Sequence, residues 1–208
     1  GIQIDLREER RERLCMTGET EVMTGSTEIY DIHMRPMVSE VKVNSLRCDF
    51  SGKTYEGECL QDVRIYLTNV NARCSITAEG RILPTEIINA GHADYDEIES
   101  FLEPDMIYRK LEGSIGKEGM DLGISLLCYP DGSTKESPGT PFTRLVIEGK
   151  LDGETFWWPI EINRSEDTDE PGIYRNRQYI FDICLTRKGA SDPEDALETE
   201  AADINMSI

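Results

Sequence analysis

Residues 143–187 alternate apolar and polar side chains in a way that a half-buried β-sheet satisfies and a helix does not. A run from Thr143 reaches a Leu151-Asp152-Gly153 turn, a second run from Thr155 to Ile162 returns from it, and a third extends from Ile173 to Arg187. Successive side chains of a strand point to opposite faces, so one face packs on a core while the other meets water. An Asp-Gly pair between two such runs predicts an antiparallel hairpin, and no catalytic motif interrupts the three strands.

Further strand-like runs lie at residues 29–48, 60–70, 73–78 and 122–129. In the second of these Val63, Ile65 and Leu67 alternate with Arg64, Tyr66 and Thr68. Gly52 and Gly57 suit a turn, and residues 130–139 form a loop by composition. Tyr95, Ile98, Phe101 and Leu102 share one helical face, which Pro104 would stop. Many short strands separated by turn signals, with at most one short helix, predict an all-β fold, an antiparallel β-sandwich. Residues 1–28 read as a leader, or the remnant of a preceding domain, before a sandwich domain at 29–208. Its mixed-charge run from Leu6 to Arg13 suits a frayed or helical terminus.

The 41 acidic residues against 22 basic ones among 208, net −19, exclude a nucleic-acid partner, which needs a basic face. No apolar run approaches the roughly 20 residues of a membrane-spanning helix. The chain opens at Gly1 rather than Met, which reads as a processed terminus, so the lack of a signal peptide carries no weight. Six cysteines at 15, 48, 59, 74, 128 and 184 form no closely spaced pair, so no metal site or other cofactor is expected. Cys128 and Cys184 sit in strand-like runs and read as buried thiols; a disulfide among Cys48, Cys59 and Cys74 stays open.

Candidate chemistry is sparse. Nucleophilic catalysis needs a base, and His33 and His92, the only histidines, have no motif around them. Residues 113–119 are glycine-rich but lack the Gly-Lys-Ser/Thr ending of a phosphate loop. Asp167, Asp169 and Glu170 offer hard oxygen ligands without an ordered calcium loop, and read as a solvated hairpin loop. Trp157 and Trp158 are adjacent on a strand, so one faces the core and the other faces out, where it could meet a ligand or an interface. After a polar linker, Ile204, Met206 and Ile208 alternate in a last strand that either completes its own sheet or is offered to another subunit.

Two stretches resemble one family. Thr143, Leu145, Val146 and Ile147, the aromatic strand from Phe156 to Ile162, then Arg175, Asn176 and Tyr179, with Thr186 to Gly189 at the end, are similar to the closing domain of the fimbrillins, subunits of surface fimbriae in Bacteroides-type bacteria. Upstream, Met16-Thr17-Gly18 resembles the end of that family's first domain. Arg35, Val38, Val41 and Val43 resemble the entry strand into its second, with Ser39-Glu40 where Ala-Lys is usual. The resemblance spans roughly residues 16–190 and leaves the first domain without a counterpart.

It implies a transthyretin-like Greek-key sandwich and a non-enzymatic fimbrial adhesion subunit that assembles by donating a terminal strand, here Ile204, Met206 and Ile208. It further implies export to the cell surface, outer membrane or fimbrium as a lipoprotein, although Arg11 to Leu14 before Cys15 lack the small residues of a lipoprotein cleavage site. Arg7, Arg10, Arg11 and Arg13 would offer points for an Arg-directed protease that opens a groove in some members. Expected partners are other fimbrial subunits and a host or bacterial surface protein or glycan. The alternative is a surface carbohydrate-binding sandwich module that presents Trp157 or Trp158.

Overall fold

Asp152 and Gly153 both adopt left-handed backbone, φ 52° and 82°. Two residues of that conformation make the tight turn whose twist matches that of the strands it joins. The hairpin around them belongs to a computed structural model that describes residues 2–21, 25, 29–78, 80–137, 139–164, 168–193 and 202–207, the last group by backbone alone up to 205.

The strands, in chain order, are β1 (Gln3–Asp5), β2 (Met16–Thr17), β3 (Arg35–Pro36), β4 (Ser39–Cys48), β5 (Gln61–Thr68), β6 (Val70–Asn71) and β7 (Arg73–Ser75). After β8 (Ile87–Ile88) and the helix α1 (Tyr95–Glu99) come β9 (Tyr108–Lys110), β10 (Met120–Cys128), β11 (Arg144–Leu151), β12 (Glu154–Glu161), β13 (Gln178–Leu185) and β14 (Ala202–Ser207).

Two four-stranded sheets carry the fold, one in the order β10-β4-β13-β14 and the other β12-β11-β5-β9. Their pairings are antiparallel except β4 with β13, which run parallel and place Tyr179 beside Val41 and Ile183 beside Leu46. The inward residues form one core. Val41, Val43, Leu46, Phe181 and Ile183 come from the first sheet, and Ile65, Leu67, Leu145, Ile147, Trp158 and Ile160 from the second. The fold is thus the expected all-β sandwich, with alternation in β12 clean enough to bury Phe156, Trp158 and Ile160 while their neighbours stay in contact with water.

The helix is shorter than its apolar spacing predicts. Asp94 caps it by accepting from the amides of Asp96 and Glu97, and it ends at Ser100, so Phe101 and Leu102 lie beyond it.

The leading segment is ordered rather than frayed, and only its Leu6–Glu8 piece is helical, a single 3-10 turn that Asp5 caps by accepting from the Arg7 amide. β1 pairs with β7, and Leu6 is fully buried with its amide donating to the Ala72 carbonyl at 2.9 Å. Arg7 reaches Asp5 at 2.6 Å and Glu86 at 2.7 Å, while Arg11 donates to the carbonyls of Ser125 at 2.7 Å and Asp105 at 2.9 Å. The buried Glu9 carboxylate accepts from the Tyr129 hydroxyl and the Cys15 amide, each at 2.9 Å. The mixed-charge run becomes ordered because most of its partners arrive from distant parts of the chain, and Leu6 supplies the apolar anchor. β2 then pairs with β3, Met16 opposite Pro36 and Thr17 opposite Arg35.

Candidate functional site

The sheet edge that ends the chain is the candidate site. β14 lies outermost on the first sheet and, among the described residues, pairs antiparallel with β13 alone, in a register from Ile180 opposite Ser207 to Leu185 opposite Ala202. Ile204 stands opposite Ile183 and Met206 opposite Phe181. The Met206 side chain is partly buried against the core. Ile208 lies outside the described residues. Of the three residues expected in an assembly strand, two are therefore placed in a strand, and that strand is folded back on its own subunit.

The segment leading out of β13 crosses to the other sheet before β14 returns. Ala190 and Trp157 exchange two backbone hydrogen bonds of 3.0 Å, closing part of the free edge of β12. The Trp158 indole donates to the Arg187 carbonyl at 2.9 Å. Gly189 lies so close to the Trp157 carbonyl oxygen that no side chain fits there. The Lys188 ammonium sits 4.9 Å from the Phe156 ring centre and 5.3 Å from that of Tyr55. This clasp was not read from the sequence, although Gly189 stood in a matched stretch; a glycine needed for close approach looks like any loop glycine until its neighbour is known.

The two tryptophans separate as adjacent strand residues must. Trp158 is buried at 2% exposure and Trp157 is half-buried on the outer face. On that face Glu148 lies across from Trp157 on one side and Arg64 on the other. Glu148 is ion-paired to Arg64 and accepts from the buried Tyr66 hydroxyl at 3.0 Å. Tyr66 stacks on Tyr108 at 6.2 Å between ring centres, and Tyr108 meets Tyr95 edge-on at 5.8 Å. Burial, then the Glu148 charge, pushes the Tyr66 hydroxyl well above its usual range, so it stays a neutral donor. The polar groups of this face already bond one another, and the face behaves as a small second core.

At the head of β13 the matched Arg175, Asn176 and Tyr179 form a corner. Arg175 donates to the Thr17 hydroxyl at 2.8 Å and contacts the Thr17 and Arg35 carbonyls at 3.3 Å, so it ties the β2–β3 pair to β13. Asn176 takes left-handed backbone at φ 57° and donates its amide to the Val38 carbonyl at 2.9 Å. The buried Tyr179 hydroxyl accepts from the Tyr174 amide at 2.9 Å and donates to the Gly172 carbonyl at 3.3 Å. The two stretches noted separately in the sequence thus meet along the β4–β13 pairing and at this corner, where Arg175 adds the link to β2.

The remaining sequence candidates are placed without being assembled into a site. His33 and His92 are both exposed, one at the rim of a cleft beside Arg35 and the other in the turn before α1. Among the described residues no group of three potential metal ligands converges; Asp167 lies outside them. None of the six cysteines is in a disulfide, and Cys48, Cys74, Cys128 and Cys184 are buried. Burial pushes the Cys128 thiol up to about 12, as it does Cys48, so both remain protonated and inert near neutrality. Arg10 and Arg13 are exposed, whereas Arg7 and Arg11 are held in the contacts described above. Among the described residues no helix is long and apolar enough to cross a membrane.

Solved structures of bacterial proteins share this architecture. A candidate cell-adhesion protein from Bacteroides eggerthii superimposes with a TM-score of 0.64 at 14% identity, over 92% of this chain and 62% of that one. A fimbrilin from Porphyromonas gingivalis gives 0.57 at 14% identity, over 84% of this chain and 58% of its own. A candidate cell-adhesion protein from Parabacteroides distasonis gives 0.55, again at 14%, over 85% and 52%. At such identities the likeness is one of fold, and this chain spans less than two thirds of the length of each. No family model and no curated protein matches the sequence.

Proposed function

We propose that this chain is a fimbrillin-like fimbrial adhesion subunit, exposed at the cell surface, that works by assembly with other subunits rather than by catalysis. The observation that carries the reading is the placement of β14: an outermost strand that follows an acidic linker and pairs, among the described residues, with β13 alone. The architecture shared with a fimbrilin and with candidate adhesion proteins supports it.

Strand exchange is chemically economical at such an edge. A strand donated from another subunit would make the same backbone bonds with β13 that β14 makes within its own subunit. Alternate side chains would set the register, since a slip by one residue would turn Met206 away from the core. An edge vacated by β14 would expose a row of unpaired donors and acceptors beside Phe181 and Ile183, which favours refilling.

The test is whether the full-length protein in surface extracts runs as a ladder that boiling collapses, compared with a version that lacks residues 199–208. A ladder lost on deletion is the expected result. Monomer in both samples would refute strand exchange. The carbohydrate-module alternative at Trp157 gains little support, because the neighbouring Arg64, Tyr66 and Glu148 already bond one another.

A further inference from the structure

A cleft of about 680 Å³ opens where the β2–β3 pair, the turn after β7 and the corner before β13 meet. Arg35, Arg175 and Arg177 line it together with His33, Tyr174 and Asn176. Thr17 and Thr77 add hydroxyl groups, and Glu19 and Glu170 add two carboxylates to the wall.

Acids outnumber bases by 41 to 22, and many of the other arginines find a carboxylate: Arg7 with Glu86 at 2.7 Å, Arg73 with Asp5 at 3.1 Å, Arg144 with Glu136 at 2.5 Å, Arg164 with Asp131 at 3.5 Å. Among the described residues Arg35, Arg175 and Arg177 make no ion pair. Three guanidinium groups without a carboxylate partner among the described residues, Arg175 also bonded to Thr17 and the Arg35 carbonyl, line one concavity on an acidic body.

We propose that this cleft binds a single carboxylated sugar, such as an acidic residue at the end of a glycan. A guanidinium presents a planar fork that matches a carboxylate in two parallel hydrogen bonds. Thr17, Thr77, Asn176 and the Tyr174 hydroxyl supply the neutral donors and acceptors that ring hydroxyls require, and the volume falls in the range of small-molecule sites. Net charge decides between a small anion and a polymeric one. A long polyanion would lie against a body of net −19 and be repelled along its length. One carboxylate within a Debye length of about 8 Å at physiological salt feels chiefly the local arginines.

This site extends the adhesion reading to a ligand, and its test does not depend on assembly. The full chain is titrated calorimetrically with D-glucuronate and N-acetylneuraminate, with D-glucose as the neutral control and acetate as the anion without a ring. At least one acidic sugar is expected to bind saturably and to weaken with added salt, with glucose and acetate at least about tenfold weaker. An Arg35→Gln/Arg177→Gln variant should lose about tenfold or more in affinity at an unchanged melting temperature, since both side chains are exposed. Amide shifts on titration should centre on Thr17 and Asn176, a second reading should the variant fold poorly. No binding by either acidic sugar, equal binding of acetate, full affinity in the variant or shifts centred elsewhere would overturn the proposal. A ladder without sugar binding removes the cleft alone; sugar binding without a ladder removes strand exchange alone.

Discussion

Trp157 and Ala190 exchange two backbone hydrogen bonds of 3.0 Å, and through them the chain leaving one sheet grips the edge of the other. Gly189 makes that grip feasible, because a Cβ there would strike the Trp157 carbonyl and lie 2.9 Å from the Trp158 ring. Replacing Gly189 with Val should destabilise the protein by about 1–3 kcal/mol, the usual cost of forcing extra atoms into a packed site. Urea unfolding would show it as a lowered midpoint, and an unchanged midpoint would mean that the clasp opens freely.

Asp131 is the buried hub of the loop between β10 and β11. Its carboxylate accepts from the Ser133 amide at 3.0 Å and from the Thr143 amide at 2.8 Å and hydroxyl at 3.2 Å. It also stands 3.5 Å from the buried Arg164, whose guanidinium lies 3.7 Å from the centre of the Phe142 ring. Desolvation already weakens the protonated form of Arg164. Asp131→Ala should therefore destabilise by about 3–5 kcal/mol, because a buried cation loses its counterion. Thermal unfolding of the double variant Asp131→Ala/Arg164→Met should recover part of that loss.

The leading segment can be tested at Leu6. Truncation to Ala should destabilise by about 2–5 kcal/mol if the residue is a core member, as its full burial demands. A change within about 0.5 kcal/mol in a denaturant titration is what a loose terminus would give.

Acid should release the same segment. Arg7 holds the Asp5 carboxyl down from 3.8 to about 2, chiefly by its side-chain hydrogen bond, with desolvation opposing and Arg73 assisting. A depressed carboxyl stabilises the fold fully above its unfolded value and ceases to do so as pH falls through its folded value. The difference in unfolding midpoint between wild type and Asp5→Asn should hold from neutrality to about pH 4 and close towards about pH 2. A difference that persists at the lower pH would show that Asp5 does not anchor β1.

The hairpin of β11 and β12 was legible because β12 displays a period and Asp152-Gly153 is a turn by its own chemistry, although β11, expected to meet water on one face, is buried on both, with Arg144 and Glu148 held in ion pairs. The core followed, since Val63, Ile65, Leu67, Phe156, Trp158 and Ile160 alternate in sequence as they do in space. β1 was not legible: three residues carry no period, and the partners of Arg7 and Arg11 lie 79 and 114 positions away. The parallel pairing of β4 with β13 escaped for a related reason, because alternation states which face is buried but not which way a neighbour runs. The cleft arginines escaped too, as three positions spread from 35 to 177 look like ordinary surface charge until the corner at Asn176 gathers them.

The clasp at Ala190 also acts as a tether. If β14 leaves its own sheet while the clasp holds, the free chain is residues 191–201, eleven positions whose fully extended span is at most roughly 36–40 Å. An edge that took up β14 in that case would have to lie within that reach of Ala190, so the clasp would confine the strand to the neighbourhood of β12.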